Sequence, residues 1–225
     1  MRERATALGV ALGLAVAGLA CSSAESNVVN QYFTALRAND QNTLTSFAMV
    51  AFDQQVDDWK VVSVGPETKA PANLPDLVKK QKELEAQQAE NLKEFRAWGN
   101  DLEIYPKLDQ VKEARQKEKA IPRNLQAIAD KYDEFSAKDR DLKKAAAEAK
   151  AAVEREKRNV ALSVGQNEDI ETLTGEVLSK DVDLNLTIAG EVKPYVMTLR
   201  KYELTGGTGP RMVSRWVVQS VSPKG

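Results

Sequence analysis

The chemistry open to this chain is narrow, because it holds one cysteine and no histidine. That excludes Ser-His-Asp and Cys-His nucleophiles, imidazole relays and His-liganded zinc or iron. A lone cysteine, Cys21, also excludes an intrachain disulfide and a Cys-cluster metal site. Carboxylates remain. Asp57-Asp58 is an adjacent pair, but neighbours on a strand face opposite sides of a sheet and do not converge. Asp181 and Asp183 share a strand face and need loops to complete a calcium site, so they read as a solvent-facing edge. Gly206-Gly207-Thr208-Gly209 has no helix after it to aim N–H groups at a phosphate, and reads as a hairpin loop. Tyr32, Trp59, Tyr195 and Trp216 are the candidate lining of a ligand cavity, with plain core packing as the competing reading. No residue set supports catalysis, so the chain is expected to be no enzyme, with no metal ligand and no cofactor.

The cysteine has a context of its own. Met1 to Arg4 carry two arginines and one acid, and Ala5 to Ala20 then run without a charge into Cys21. A charged start, an apolar run and a small-residue exit make a secretory signal. The apolar run is shorter than the roughly 20 residues a membrane-spanning helix needs. Ala17-Gly18-Leu19-Ala20-Cys21 resembles the lipobox of bacterial lipoproteins, whose signal is cut before a cysteine with a diacylated thiol. Gly18 stands where that motif usually has leucine. The resemblance implies lipidation at Cys21 and a periplasm-facing protein of the cell envelope. Ser22 in place of Asp implies the outer membrane. Each buried acyl CH₂ contributes about 0.8 kcal/mol, so several chains anchor stably. A net charge of −1 gives no basis for binding nucleic acid.

These residues sit on three blocks. The signal occupies 1–20. Residues 21–72 and 165–225 are expected to form one discontinuous α+β domain, and 73–164 a helical insertion. In the first block Ser23 or Ser26 caps a helix whose Val28, Val29, Tyr32, Phe33 and Leu36 recur at helical spacing. Asn39-Asp40 ends it, and a shorter helix follows over 42–50. Val56 to Val64, rich in β-branched residues and closed by Gly65-Pro66, reads as a strand.

Residues 75–164 hold 20 Lys/Arg and 18 Asp/Glu with a single glycine, the composition of solvated helices. A heptad seam runs through Leu125, Ile128, Tyr132, Phe135, Asp139, Leu142, Ala146, Ala149, Val153, Glu156, Val160 and Ser163. In the first half Leu77, Leu84, Phe95, Trp98, Leu102 and Tyr105 form a rougher seam, interrupted by Gln81, Gln88 and Asn91. A turn at Ile121-Pro122 predicts two equal arms of an antiparallel coiled-coil hairpin. A three-helix arrangement that turns again near Gly99–Pro106 is the alternative. In the last block Val182, Leu184, Leu186 and Ile188 alternate with polar residues, Gly190 turns the chain, and Tyr195, Met197 and Leu199 continue the pattern. With a last strand around Arg215-Trp216-Val217-Val218, this predicts a three-strand meander.

Val28 to Asp40 and Arg215-Trp216-Val217-Val218 resemble the opening helix and closing strand of the NTF2-like (cystatin-like α+β) superfamily, over about 95 residues. The resemblance implies a small curved antiparallel sheet with N-terminal helices around a cone-shaped cavity. The expected role is non-enzymatic binding or scaffolding by a lipid-anchored protein whose helical arm meets an envelope protein partner. The alternative is a small-ligand carrier using that cavity.

Overall fold

The computed structural model describes residues 23–165, 170–206 and 214–225, which form five α-helices and an open five-stranded antiparallel sheet. Helix α1 (Ala24–Arg37) starts where its cap predicts: the Ser23 hydroxyl accepts from the Ser26 N–H at 3.2 Å, and Glu25 sits in the first turn. Asn39 takes a positive φ of 54°, and Asp40 then caps α2 (Gln41–Phe47) by accepting from the Thr43 N–H at 3.0 Å. Strands β1 (Asp58–Val64) and β2 (Thr68–Pro71) both pair with β3 (Thr174–Ile188). Strand β4 (Glu191–Thr205) pairs with β3 along its full length, and β5 (Val217–Pro223) completes the meander. The β3–β4 turn is Ala189-Gly190, both at positive φ, as a two-residue hairpin loop requires.

Two features of the sheet exceed the sequence reading. Strand β2 was not foreseen, because Thr68-Lys69-Ala70-Pro71 is fully exposed and lacks alternation. Strand β3 also begins well before Asp181, and there its buried phase inverts. Leu178, Val182, Leu184, Leu186 and Ile188 are buried with Lys180 half-buried between them, and across the ladder Tyr195, Met197 and Leu199 join them against α1 and α2. Beyond that point Val177 on β3 and its partner Tyr202 on β4, with Leu204, are buried on the opposite face. The pairing register is continuous through the switch. Because side chains alternate, one unbroken ribbon thus serves a core on each of its two faces. Gly175 marks the second core: at φ 149° its added Cβ would lie 2.2 Å from the Glu203 carbonyl oxygen.

That second core is the root of the helical insertion. Helix α3 (Leu74–Gly99) leaves it and α5 (Gln126–Val164) returns to it, with Leu74, Val153 and Val160 packed on Val177, Tyr202 and Leu204. The equal-armed hairpin about Ile121-Pro122 is not what forms. Helix α5 is one 39-residue rod, about 58 Å long at 1.5 Å per residue. The outgoing chain breaks after Gly99 and resumes as α4 (Tyr105–Gln116), with Pro106 in its first turn. Glu94 bridges to Lys138 at 3.6 Å and Phe95 meets Tyr132, so α3 runs antiparallel to α5. Helix α4 is different. Val111 packs with Leu125 and Ala129, while Arg115 reaches forward to Asp133 at 2.6 Å, so α4 runs parallel to α5. The far end is therefore the three-helix arrangement.

All twelve α5 seam positions are buried or half-buried. Leu102 and Tyr105 depart from the first-half seam: they lie on the α3–α4 corner, 92% and 54% exposed.

Candidate functional site

The four aromatic candidates sit in and around the first core. Tyr32 is fully buried and its hydroxyl donates to the Val50 carbonyl at 3.1 Å; burial pushes its pKa up to about 12. A phenol so raised stays protonated at neutral pH. Trp59 stacks on Phe33, donates its indole N–H to Asn30 at 2.9 Å, and carries the Arg37 guanidinium 4.6 Å above its ring. Tyr195 packs edge-on against Phe52, and Trp216 lies under the Lys180 ammonium at 5.3 Å. Val29 and Phe33 of α1 and Leu44 and Phe47 of α2 are buried in the same core as these rings. Of the four, Tyr195 also borders a surface cleft of about 310 Å³, beside Phe52, Asp53 and Ser220.

The carboxylate candidates are dispersed. Asp57 accepts from the Gly190 N–H at 3.3 Å, while Asp58 opens β1. Asp183 accepts from Ser63 and from Lys224, both at 2.8 Å, and these hold its carboxyl below the usual range, Lys224 first. Asp181 accepts from Thr198 at 2.8 Å. Among the described residues no group of three or more His, Cys, Asp or Glu could hold a metal ion. Cys21 and the expected signal before it, and Gly207-Thr208-Gly209, lie outside the described residues. Among the described residues no helix is long and apolar enough to cross a membrane.

Two polar clusters, one half-buried and one buried at its centre, escaped the sequence reading. In the first, Lys180 on β3 donates to Glu25 on α1 at 2.6 Å and lies 3.7 Å from Glu67. That hydrogen bond holds the Glu25 carboxyl below its ordinary value and the Lys180 ammonium above its own. The second joins the arm to the sheet. The Tyr202 hydroxyl donates to Glu156 at 2.7 Å, and Asn159 donates to the other Glu156 oxygen at 3.3 Å. Ser163 accepts from the Tyr202 N–H at 3.0 Å and donates to the Arg215 carbonyl at 2.9 Å. The Arg215 guanidinium spans from the Leu162 carbonyl to that of Ser46 on α2. Burial, and then the adjoining Glu156 carboxylate, push the Tyr202 phenol well above its usual range, so it remains a donor. A buried tyrosine and carboxylate locked by six such bonds orient a helix. The signal for it was present: Glu156 and Ser163, with Asp139, are the polar residues of a mostly apolar seam.

What the molecule presents outward is the far end of the arm, where the α3–α4 corner exposes Leu102 and Tyr105 beyond a packed aromatic cluster of Phe95, Trp98, Tyr132 and Phe135. Comparison with family models, with curated proteins and with solved structures finds no match for this chain.

Proposed function

We propose that this chain is a lipid-anchored envelope protein that binds or scaffolds a protein partner through its helical arm, and that it is not an enzyme. The observation that carries the reading is the exposed corner. Leu102 and Tyr105 are 92% and 54% exposed at the end of an arm whose other apolar seam residues are buried or half-buried. Large apolar patches with polar rims mark contact sites, and this corner supplies two exposed apolar side chains toward one. A rigid root, stapled by Glu156, Tyr202 and Arg215, holds such a corner at a fixed distance from the domain. The filled first core favours this reading over a carrier role. The NTF2-like architecture belongs to the same proposal, supported by two N-terminal helices on one face of an antiparallel sheet. The anchor rests on Cys21 behind its apolar leader.

Two measurements test it. Mass spectrometry of protein from a bacterial envelope should find Cys21 N-terminal and acylated; an unmodified Cys21 overturns the anchor. Crosslinking in intact envelopes should join the arm to a partner in the parent chain and lose it in Leu102→Asp with Tyr105→Asp. Undiminished crosslinking in that variant overturns the arm as the binding surface.

A further inference from the structure

Helix α3 turns one face to α5 and leaves the opposite face bare. Leu77, Leu84, Phe95 and Trp98 make its inner seam, and all four are half-buried. At about 100° per residue, Lys79, Lys82, Ala86, Glu90, Lys93 and Ala97 share a stripe on the far side. All six are exposed. The root end of the stripe is hollowed into a groove of about 490 Å³ lined by Pro75, Val78, Lys79, Lys82, Glu83 and Ala86. Pro75, Val78 and Ala86 supply its apolar lining, and two lysines against one carboxylate leave it net positive. At the other end the chain keeps turning past Gly99, with the Asn100 N–H on the Arg96 carbonyl and the Asp101 N–H on that of Trp98. It then exposes Leu102 and Tyr105, with Asp101 and Glu103 exposed on either side of Leu102. One end is a positive apolar hollow, the other an apolar knob with two negative charges.

Knob and hollow lie about 32 Å apart along one helical arm, so they can meet only between two molecules. A two-fold axis crossing α3 at the level of residues 91 and 92 brings them together. Leu102 and the middle of the groove, at residues 80 and 81, each lie about 16 Å from that level. The fit of knob to hollow alone places the axis, and the rest of the stripe then agrees with it. Lys82 falls opposite Asp101 of the second copy, Ala86 opposite Ala97, and Glu90 opposite Lys93. Glu90 and Lys93 already bridge within one chain at 3.3 Å, so two opposed copies alternate four charges around the axis. A parallel arrangement would instead set Lys82 on Lys82 and Glu90 on Glu90, like charge on like.

We propose that the partner met by the corner is a second copy of this chain, the two α3 faces packing antiparallel about that axis. The proposal rests on the reading of the arm as a binding surface and names what it binds. An isologous contact uses every favourable pair twice. A face about 39 Å long and about 10 Å wide buries roughly 400 Å² per copy, half of the roughly 800 Å² of a standard interface. The dimer is therefore weak and, with its charge pairs exposed, sensitive to salt.

The test uses full-length chains in bacterial envelopes, an oxidising compartment in which neighbouring cysteines form disulfides. Ala86→Cys and Ala97→Cys, coexpressed on separately tagged chains, should form a mixed disulfide dimer at least tenfold above the parent chain, which has Cys21 alone. Either variant expressed by itself should stay at that background. Its two copies of the new cysteine lie about 16 Å apart across the axis, beyond disulfide reach. Adding Leu102→Asp with Tyr105→Asp should abolish the mixed disulfide. Adding Glu90→Lys should reduce it at least fivefold, and Glu90→Lys with Lys93→Glu should restore it. Circular dichroism melts confirm that each variant is folded; if the corner variant is not, the charge swap still decides. The proposal is overturned by absence of the mixed disulfide, by stronger disulfides in either variant alone, or by a mixed disulfide indifferent to the corner or charge changes. If it falls while envelope crosslinking still depends on Leu102 and Tyr105, the arm remains the binding surface and its partner is a different protein. If that crosslinking is indifferent to them too, both readings fall.

Discussion

Leu186 on β3 and Leu142 on α5 both face inward in their own elements, yet they end in different surroundings. Leu186 is sealed between α1 and the sheet, whereas Leu142 is half-buried between two helices. The difference is one of layers. A sheet face covered by helices closes over its residues, while two helices side by side leave each seam open along its flanks. The domain is therefore held by a sealed apolar core. The shaft of the arm is held by a narrow stripe that tolerates Gln81, Gln88, Asn91 and Asp139 within it. The root is a third case, where apolar residues and a hydrogen-bonded Glu156–Tyr202 pair are buried together.

The largest effect should separate shaft from root. Replacing 86–145 with a short Gly/Ser turn removes the shaft but spares Leu74, Val153, Glu156 and Val160, and should leave a cooperatively folding protein with reduced helical circular dichroism. Replacing 75–164 strips Val177, Tyr202 and Leu204 of their cover, and cooperative melting should be lost. If both replacements melt alike, root and shaft are one unit and the comparison fails. Next in size, Leu186→Ala should cost about 3–5 kcal/mol in denaturant unfolding, against about 1–2 kcal/mol for half-buried Leu142→Ala.

The ionic contact between α1 and β3 is sensitive to acid. Lys180→Met leaves the buried Glu25 carboxylate unpaired. With about a fifth of the Lys180 side chain still in water, we expect a loss of about 2 kcal/mol at pH 7, below the roughly 3–5 kcal/mol of a fully buried pair. Because the folded Glu25 value lies below its ordinary 4.5, the pair's contribution is complete above pH 4.5 and vanishes as pH falls through the folded value. The gap in melting temperature between parent and variant should therefore narrow from pH 7 to pH 3. A constant gap would mean that Lys180 acts through its packing on Trp216. The smallest effect is expected for Lys143→Ala, within about 0.5 kcal/mol, because its bridge is exposed. Hydrogen exchange over 122–164 should rise in Leu142→Ala and stay level in Lys143→Ala.

Local signals made much of this fold legible. Ser23 marks the first helix start and Asn39-Asp40 its end, Gly190 marks the hairpin, and the alternation from Val182 to Leu199 specifies both its strands and the face that meets α1. The α5 seam could be read residue by residue because apolar positions at 3.5-residue spacing leave a repeating trace. What escaped was non-local. The edge strand β2 is made by the ladder it joins and has no pattern of its own. The inversion near Val177 is invisible unless both strands are aligned, since each alone shows only a broken alternation. Leu102 and Tyr105 continued a plausible seam in sequence, but the break after Gly99 turned them outward. Of the four aromatic candidates Tyr32, Tyr195 and Trp216 are buried and Trp59 is half-buried, while the orphaned acceptors of Asn91 and Asp139 emerge only when α3 lies against α5.

The way α5 is fixed gives the molecule leverage. Its last 16 residues, 149–164, lie along the root, and the preceding 23 extend beyond it for about 34 Å at 1.5 Å per residue. A tilt of about 5° where Tyr202 grips Glu156, about 45 Å from the start of α5, would swing the far end by about 4 Å, more than the length of a hydrogen bond. Slight slack in one buried tyrosine would thus be magnified into lost aim at the corner, so alignment there is set by a side chain about eight turns away.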